Sequence, residues 1–211
     1  MHHFTTQDFQ SWERRYRAYF FNSAGGFKSA NLLGSYNAEG VANLALFFSV
    51  IHVGSNPPLL GLLFRPHTVP RHTLENLLQQ GHFSVNAVTE AIYRKAHATS
   101  ASYEAGVCEF TQCGLHSLSG KSVPVPYVQE SPLRLGCTFA ERHDIKANGT
   151  ILIVARIEEV QVSEKLLGAD GFLELANEST LAINNLDAYY KPEPLERLEY
   201  ARPYEAVKSK D

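Results

Sequence analysis

An Asn148-Gly149 pair stands between two long strand-length runs, Leu133–Ile145 and Thr150–Val162. A two-residue type I′ turn needs positive φ at both central positions, and Asn and Gly tolerate it. The pair therefore predicts a long antiparallel hairpin, which constrains the fold more than any other local signal. A second hairpin is expected where Ser29–Tyr36 and Val41–Val50 flank the turn-forming quartet Asn37-Ala38-Glu39-Gly40. Pro57-Pro58 ends what precedes it, and Leu59–Arg65 is a compact apolar run that stops at Pro66. In His82–Val88, Phe83, Val85 and Ala87 alternate with Ser84 and Asn86, which predicts a half-buried strand with Asn86 facing outward.

Helical signals are few and short. Phe9, Trp12, Tyr16 and Tyr19 or Phe20 fall on one face of a helix over 9–21. Leu74–Gln80 places Leu74, Leu77 and Leu78 together, with Thr73 at the N-cap position and Gly81 at the stop. Glu90–Ala101 has helical composition. About six strands with so few helices argue against a parallel α/β sheet, which needs a crossover helix after nearly every strand. A mainly β fold, an antiparallel barrel with short helices, is expected. After Gly171 clean periodicity is lost, and Pro192, Pro194 and Pro203 punctuate a Tyr-rich tail expected to pack on the body or on a partner.

With 211 residues and 44% apolar content, the chain reads as one globular domain, 1–211. Its net charge of −3 and scattered basic residues argue against a nucleic-acid partner. The strongest apolar run, Leu44–Phe48, is far shorter than the roughly 18 residues of a membrane span. A cytoplasmic protein is expected, since Cys108, Cys113 and Cys137 form an odd set without Cys-x-x-Cys spacing. Nor do the nine histidines show a His-x-x-x-His pair, so no metal site is expected.

Gly40 to Leu74 holds no Asp or Glu, yet its end carries Arg65, His67, Thr68, Arg71, His72 and Thr73 around two prolines. Arg forks, Thr hydroxyls and the N-terminus of the following helix together make an anion site. The same residues would also suit a solvated connecting loop. Upstream, Asn43 to His52 combines an apolar wall with the polar tips Asn43, Ser49 and His52, which suits a flat heteroaromatic ring or an ordinary core strand. Asn86 could reach a ligand amide or solvent. There is no nucleophile elbow, Cys–His constellation or carboxylate pair, and Gly25-Gly26 lacks the third glycine of a dinucleotide fingerprint. Side-chain machinery this sparse is expected where a bound cofactor carries the chemistry.

The motifs Ser29-Ala30-Asn31-Leu32-Leu33-Gly34-Ser35, Asn43-Leu44-Ala45, Asn56-Pro57-Pro58-Leu59, Arg65-Pro66-His67-Thr68 and His72-Thr73-Leu74-Glu75-Asn76 occur in that order. Phe83-Ser84-Val85-Asn86, Glu109-Phe110 with Gly114-Leu115, and Glu130-Ser131-Pro132-Leu133 with Cys137 follow. Together they resemble the flavin reductase-like family of FMN-binding split barrels over about 29–162, leaving 163–211 as a C-terminal extension. The resemblance implies a six-stranded antiparallel Greek-key barrel and a homodimer with FMN at its interface. It further implies that Ser49, Val50, Ile51 and His52 line the isoalloxazine, largely through backbone groups. Arg65, His67, Thr68, Arg71 and Thr73 would hold the phosphate, and Asn43 and Asn86 would reach the ring edge or ribityl chain. Ala45-Leu46-Phe47 departs from the Ala-Pro-x-Ser pattern of many relatives.

The implied activity is hydride delivery from NADH or NADPH to flavin N5, with no obligatory side-chain acid or base. Electrons would leave to a small-molecule acceptor or a partner monooxygenase. An FMN-carrying electron-transfer protein without its own NAD(P)H site is the alternative. A barrel for another ring, such as pyridoxal phosphate or heme, and a dimeric domain without ligand also remain open.

Overall fold

The computed structural model describes residues 1–210. Its first elements are α1 (Thr6–Ser11) and α2 (Arg14–Ala24), where the aromatic spacing predicts a single helix. The break lies at Glu13, whose carboxylate accepts from the N–H groups of Arg15 and Tyr16 at 2.8 and 3.0 Å and so caps a new helix start. There follow β1 (Lys28–Ser29), β2 (Asn31–Tyr36), β3 (Ala42–Phe47), β4 (Val50–Ser55), β5 (Pro58–Phe64), α3 (His72–Gln80) and β6 (His82–Ala87). Beyond these come α4 (Tyr93–Ala98), α5 (Glu109–Gln112), β7 (Ser117–Ser119), β8 (Pro126–Val128), β9 (Leu133–Ile145), β10 (Thr150–Val162), β11 (Ala182–Asn184) and β12 (Ala188–Tyr190).

Seven strands form the main sheet in the order β3-β2-β6-β9-β10-β5-β4, and every neighbouring pair is antiparallel. The two edges of that order, β3 and β4, are consecutive in the chain and separated only by Phe48 and Ser49. Six inter-strand gaps would hold flat edges roughly 29 Å apart. The three Cα steps from Phe47 to Val50 reach about 11 Å at most. The sheet therefore has to roll up, giving a split barrel, and Leu63 N–H donating to the Ser49 carbonyl at 3.0 Å tacks the corner to β5. The connection from β5 to β6 skips β10 and β9 in Greek-key fashion and carries α3, which packs on β2 and β3.

The sheet has one strand more than the six expected from sequence. The run from Leu44 to Ile51 has only Ser49, and no Gly, Pro, Asn or Asp, to mark the corner at 48–49, so its second half reads as a continuation of β3. In the fold that half starts β4, which turns back through Asn56-Pro57 onto β5. The β9–β10 hairpin pairs Ile145 with Thr150 and runs to Leu133 opposite Val162. Its loop is not the two-residue turn expected. Four residues, Lys146 to Gly149, form it, and of the Asn148-Gly149 pair only Gly149 takes positive φ, at 74°. Asn148 instead accepts from Thr150 N–H through its side-chain oxygen at 3.1 Å.

Successive β2 residues feed two cores, as strand alternation requires. Leu33 joins Leu62, Leu74, Leu77, Phe83, Val85 and Ile153 inside the barrel. Leu32 joins Leu44, Val88, Ile92, Ala96, Phe110 and Ile183 between the barrel wall and α4, α5 and β11. β11 pairs with β1 and β12, so the chain beyond Thr180 closes the second core. Among the described residues no helix is long and apolar enough to cross a membrane.

Candidate functional site

A cavity of about 930 Å³ opens where β3, the end of β5, the N-terminus of α3 and the segment after α4 meet. β3 is an edge strand, so its outward N–H groups need partners other than a neighbouring strand. Leu44 N–H donates to Glu109 Oε2, and Leu46 N–H to Thr99 Oγ1, each at 2.9 Å. Those two side chains tie the far wall, Thr99–Ala105 and Glu109, to β3 and leave a slot lined by Ala45, Phe47 and Phe48. Leu186, from the β11–β12 turn, also borders it.

One end of the cavity is cationic. Arg65 follows β5 and Arg71 is the N-cap residue of α3, so both guanidinium-bearing residues border the space beside the free N–H groups of the helix's first turn. Among the described residues neither has a carboxylate within ion-pair distance, and Arg71 Nε donates to the Pro66 carbonyl at 3.1 Å. Lost solvation first, and the Arg71 cation second, pull the Arg65 guanidinium below its ordinary pKa range. Two neighbouring cations without a counter-charge leave an electrostatic demand that an anion would meet.

Of the residues singled out in the sequence, Asn43, Ser49, Arg65, Arg71, His72 and Thr73 border this cavity. Thr73 is not the N-cap of α3, as its sequence position suggests. It lies in the first turn, 8% exposed, and its Oγ1 accepts from Asn43 Nδ2 at 3.0 Å. Among the described residues no side chain caps the first-turn N–H groups; Glu75 reaches back instead to accept Arg71 N–H at 3.0 Å. His67 is held by the same Glu75 oxygen at 2.8 Å, and Thr68 lies exposed in the loop between them. Glu75 is consequently lowered below its ordinary carboxylate value, by the Arg71 N–H above all and by His67.

Val50, Ile51 and His52 are on β4, outside the cavity; Ile51 and His52 are exposed. Asn86 is elsewhere altogether. Far from facing outward, it is fully buried, donating to the Leu32 carbonyl and Ser84 Oγ and accepting Val128 N–H at 3.0 Å. It pins β8 onto β2 and β6.

Sequence reasoning missed Thr99, Glu109 and Leu186 as cavity residues. Glu109-Phe110 does stand in the pattern carrying the resemblance, but no spacing links position 109 to the N–H of residue 44, and nothing local marks Leu186. Among the described residues, no three His, Cys, Asp or Glu side chains converge to hold a metal ion.

A family model described as the flavin reductase like domain matches residues 27–181 of this chain. A Shewanella frigidimarina protein with a split barrel domain, named as a candidate flavin reductase, is 41% identical. It superposes with a TM-score of 0.91 over 95% of this chain and 100% of its own. The uncharacterised protein YwrF of Bacillus subtilis is 31% identical over 159 residues, 71% of this chain and 77% of that one. Nitrilotriacetate monooxygenase component B of Bacillus cereus shares the fold at 18% identity, with a TM-score of 0.82 over 92% of this chain and 96% of its own.

Proposed function

This chain belongs to the flavin reductase-like domain family, and from that premise we propose that it binds FMN between two copies of itself and works as an NAD(P)H-dependent flavin reductase. The observation that carries the reading is the arginine pair without a carboxylate partner, set at a helix N-terminus at one end of a cavity whose wall is apolar. A phosphate dianion meets that demand, because Arg65, Arg71, the Thr73 hydroxyl and the first N–H groups of α3 can all donate. Ala45, Phe47 and Phe48 offer the flat apolar surface that a tricyclic ring needs. The residues present therefore fit the group.

FMN held there would supply the redox chemistry, linking NADH or NADPH as hydride donor to a small acceptor or a partner monooxygenase. The chain's own part is to bind, orient and shield. Arg65, Arg71 and Thr73 anchor the phosphate, and Ser49 lies where the wall turns into β4. The exposed Ile51 (53%), Val53 (45%) and Leu63 (39%) give the β4 side an apolar face that a second copy would cover, bringing Val50, Ile51 and His52 against the ring. His67 and Thr68 would join the phosphate shell only if the loop closed further, and Asn86 acts on the wall from behind. No catalytic acid or base is assigned: Glu109, the buried carboxylate on the wall, already accepts Leu44 N–H. Three free thiols suit a cytoplasmic setting.

The test is the visible spectrum of the purified protein, an FMN titration and NADH and NADPH oxidation with added flavin. Saturable FMN uptake with turnover supports the proposal. FMN uptake without NAD(P)H oxidation points to the electron-transfer alternative, and a colourless protein that takes up no FMN sinks both.

A further inference from the structure

Asn43 borders the cavity, and its Nδ2 is spent on a buried polar chain. Its Nδ2 lies 3.0 Å from Thr73 Oγ1 and 3.5 Å from Ser35 Oγ, while Asn76 Nδ2 donates to the same Ser35 oxygen at 3.2 Å. All four side chains are buried: Ser35 at 0% exposure, Asn76 at 7%, and Asn43 and Thr73 at 8% each. A hydroxyl has one proton to give and lone pairs to receive. Because the Asn43 amide fills the accepting side of Thr73, the Thr73 proton must go elsewhere. No described residue takes it, although other threonines spend theirs on backbone carbonyls, Thr99 on Ala96 and Thr180 on Leu175. Thr73 is bordered by the cavity and by the cationic end formed with Arg65 and Arg71.

We propose that Asn43 is a positioning residue that sets the Thr73 hydroxyl as a donor into the cavity, where it adds to the donors of Arg65, Arg71 and the helix N-terminus and selects for the phosphate monoester of the ligand. On this assignment the Asn43 Nδ2 is not free to reach the ring edge or the ribityl chain. Two guanidiniums, the Thr73 hydroxyl and the helix N–H groups then all give protons toward the head of the ligand, with the His72 ring beside them. A phosphate dianion satisfies all of them, whereas a terminal alcohol can satisfy only part of the set and leaves the rest without acceptors. The inference deepens the flavin reading and rests on it for the identity of the ring, but not for the identity of the head group.

The measurement is the ratio of dissociation constants for FMN and riboflavin, by fluorescence quenching, in the unmodified chain and in Asn43→Asp, Asn43→Ala, Thr73→Val and the Asn43→Ala/Thr73→Val double variant. Asp has the shape of Asn but only accepts, so it turns the Thr73 proton away from the cavity. Asn43→Asp and Thr73→Val are each expected to weaken FMN by about tenfold or more. Riboflavin should change little, and its retained affinity doubles as the control for folding. In the Thr73→Val background, Asn43→Ala should have no further effect on the ratio, because both act through one hydroxyl.

Three results would overturn the assignment. Equal losses for FMN and riboflavin would mean that Asn43 holds the wall or touches the ring. An unchanged ratio in Asn43→Asp would mean that the carbonyl, not the amide, faces Thr73. Additive effects in the double variant would mean two separate roles. If the unmodified chain bound neither flavin, the flavin reading would fall by itself. Inorganic phosphate then becomes the probe: binding weakened by Asn43→Asp keeps the assignment, and no binding ends it.

Discussion

Arg65 and Arg71 sit close enough for each cation to matter to the other, with no carboxylate to divide between them. Removing one should therefore leave the other as a weaker but still functional anchor. Arg71→Ala is expected to weaken FMN by roughly tenfold to a hundredfold, the range of a charge-assisted hydrogen bond, and the double variant by more. Isothermal titration at two salt concentrations checks this, since the lost contact should also flatten the salt dependence. An Arg71→Ala protein with undiminished affinity would remove the phosphate from this loop. Six sequence-selected residues, Asn43, Ser49, Arg65, Arg71, His72 and Thr73, border one cavity, and their candidacy is legible because they fall in one acid-free window that ends in Arg, Thr and a helix start. What was not legible depends on distance. The direction of the Asn43 amide is set by Thr73 and Ser35, the burial of Asn86 by Val128, and the place of Glu109 by an edge-strand N–H sixty-five positions away.

The strands were readable because alternation and turn residues are local, and the corner at Phe48-Ser49 was not, because only closure of the whole sheet demands it. The same contrast governs what single changes do to an element. Gly34 is fully within β2, and a Cβ there would lie 2.3 Å from the Pro126 carbonyl and 2.6 Å from Ser84 Oγ. Gly34→Ala must push β8 off the sheet, so a loss of about 1–3 kcal/mol is expected in urea unfolding. A full-strength Gly34→Ala protein would show that β8 yields freely. At α3 the controlling group is Glu75, which holds Arg71 N–H and His67 and is more than a third exposed. Its pKa is lowered on folding, so its contribution is fully present above its ordinary value of 4.5 and fades as pH falls through the lower folded value. Glu75→Gln should accordingly lower Tm by about 1–3 °C at neutral pH. The gap should shrink in acid, and one that widened there would contradict this account.

At the scale of the whole chain, the family pattern and the cavity do not end at the same place. The pattern matches residues 27–181, but Leu186 borders the cavity from beyond it. The turn that carries Leu186 is firmly placed. Asn185 takes positive φ, at 57°, and donates to Asp187 at 2.9 Å; Ile183 is buried in the second core. Tyr189 packs on Tyr93 and lies 3.1 Å from His97 Nδ1, both on α4, the helix that leads into the far wall. Burial, with Asp187 adding to it, raises the Tyr189 phenol to about 12, so its hydroxyl keeps its proton at neutral pH. Leu186 is thus held at the border of the cavity, and under the proposed function it would act on what enters beside the flavin more than on the phosphate anchor. Leu186→Trp should narrow the opening and raise KM for NADH or NADPH several-fold with a smaller change in kcat, and Leu186→Ala should widen it and relax discrimination between bulky acceptors. Steady-state kinetics with each nucleotide and with acceptors of increasing size makes the comparison. If both variants kept the parent KM values, the tail would be a brace for the second core alone, and the specificity of the site would have to lie elsewhere than in the tail.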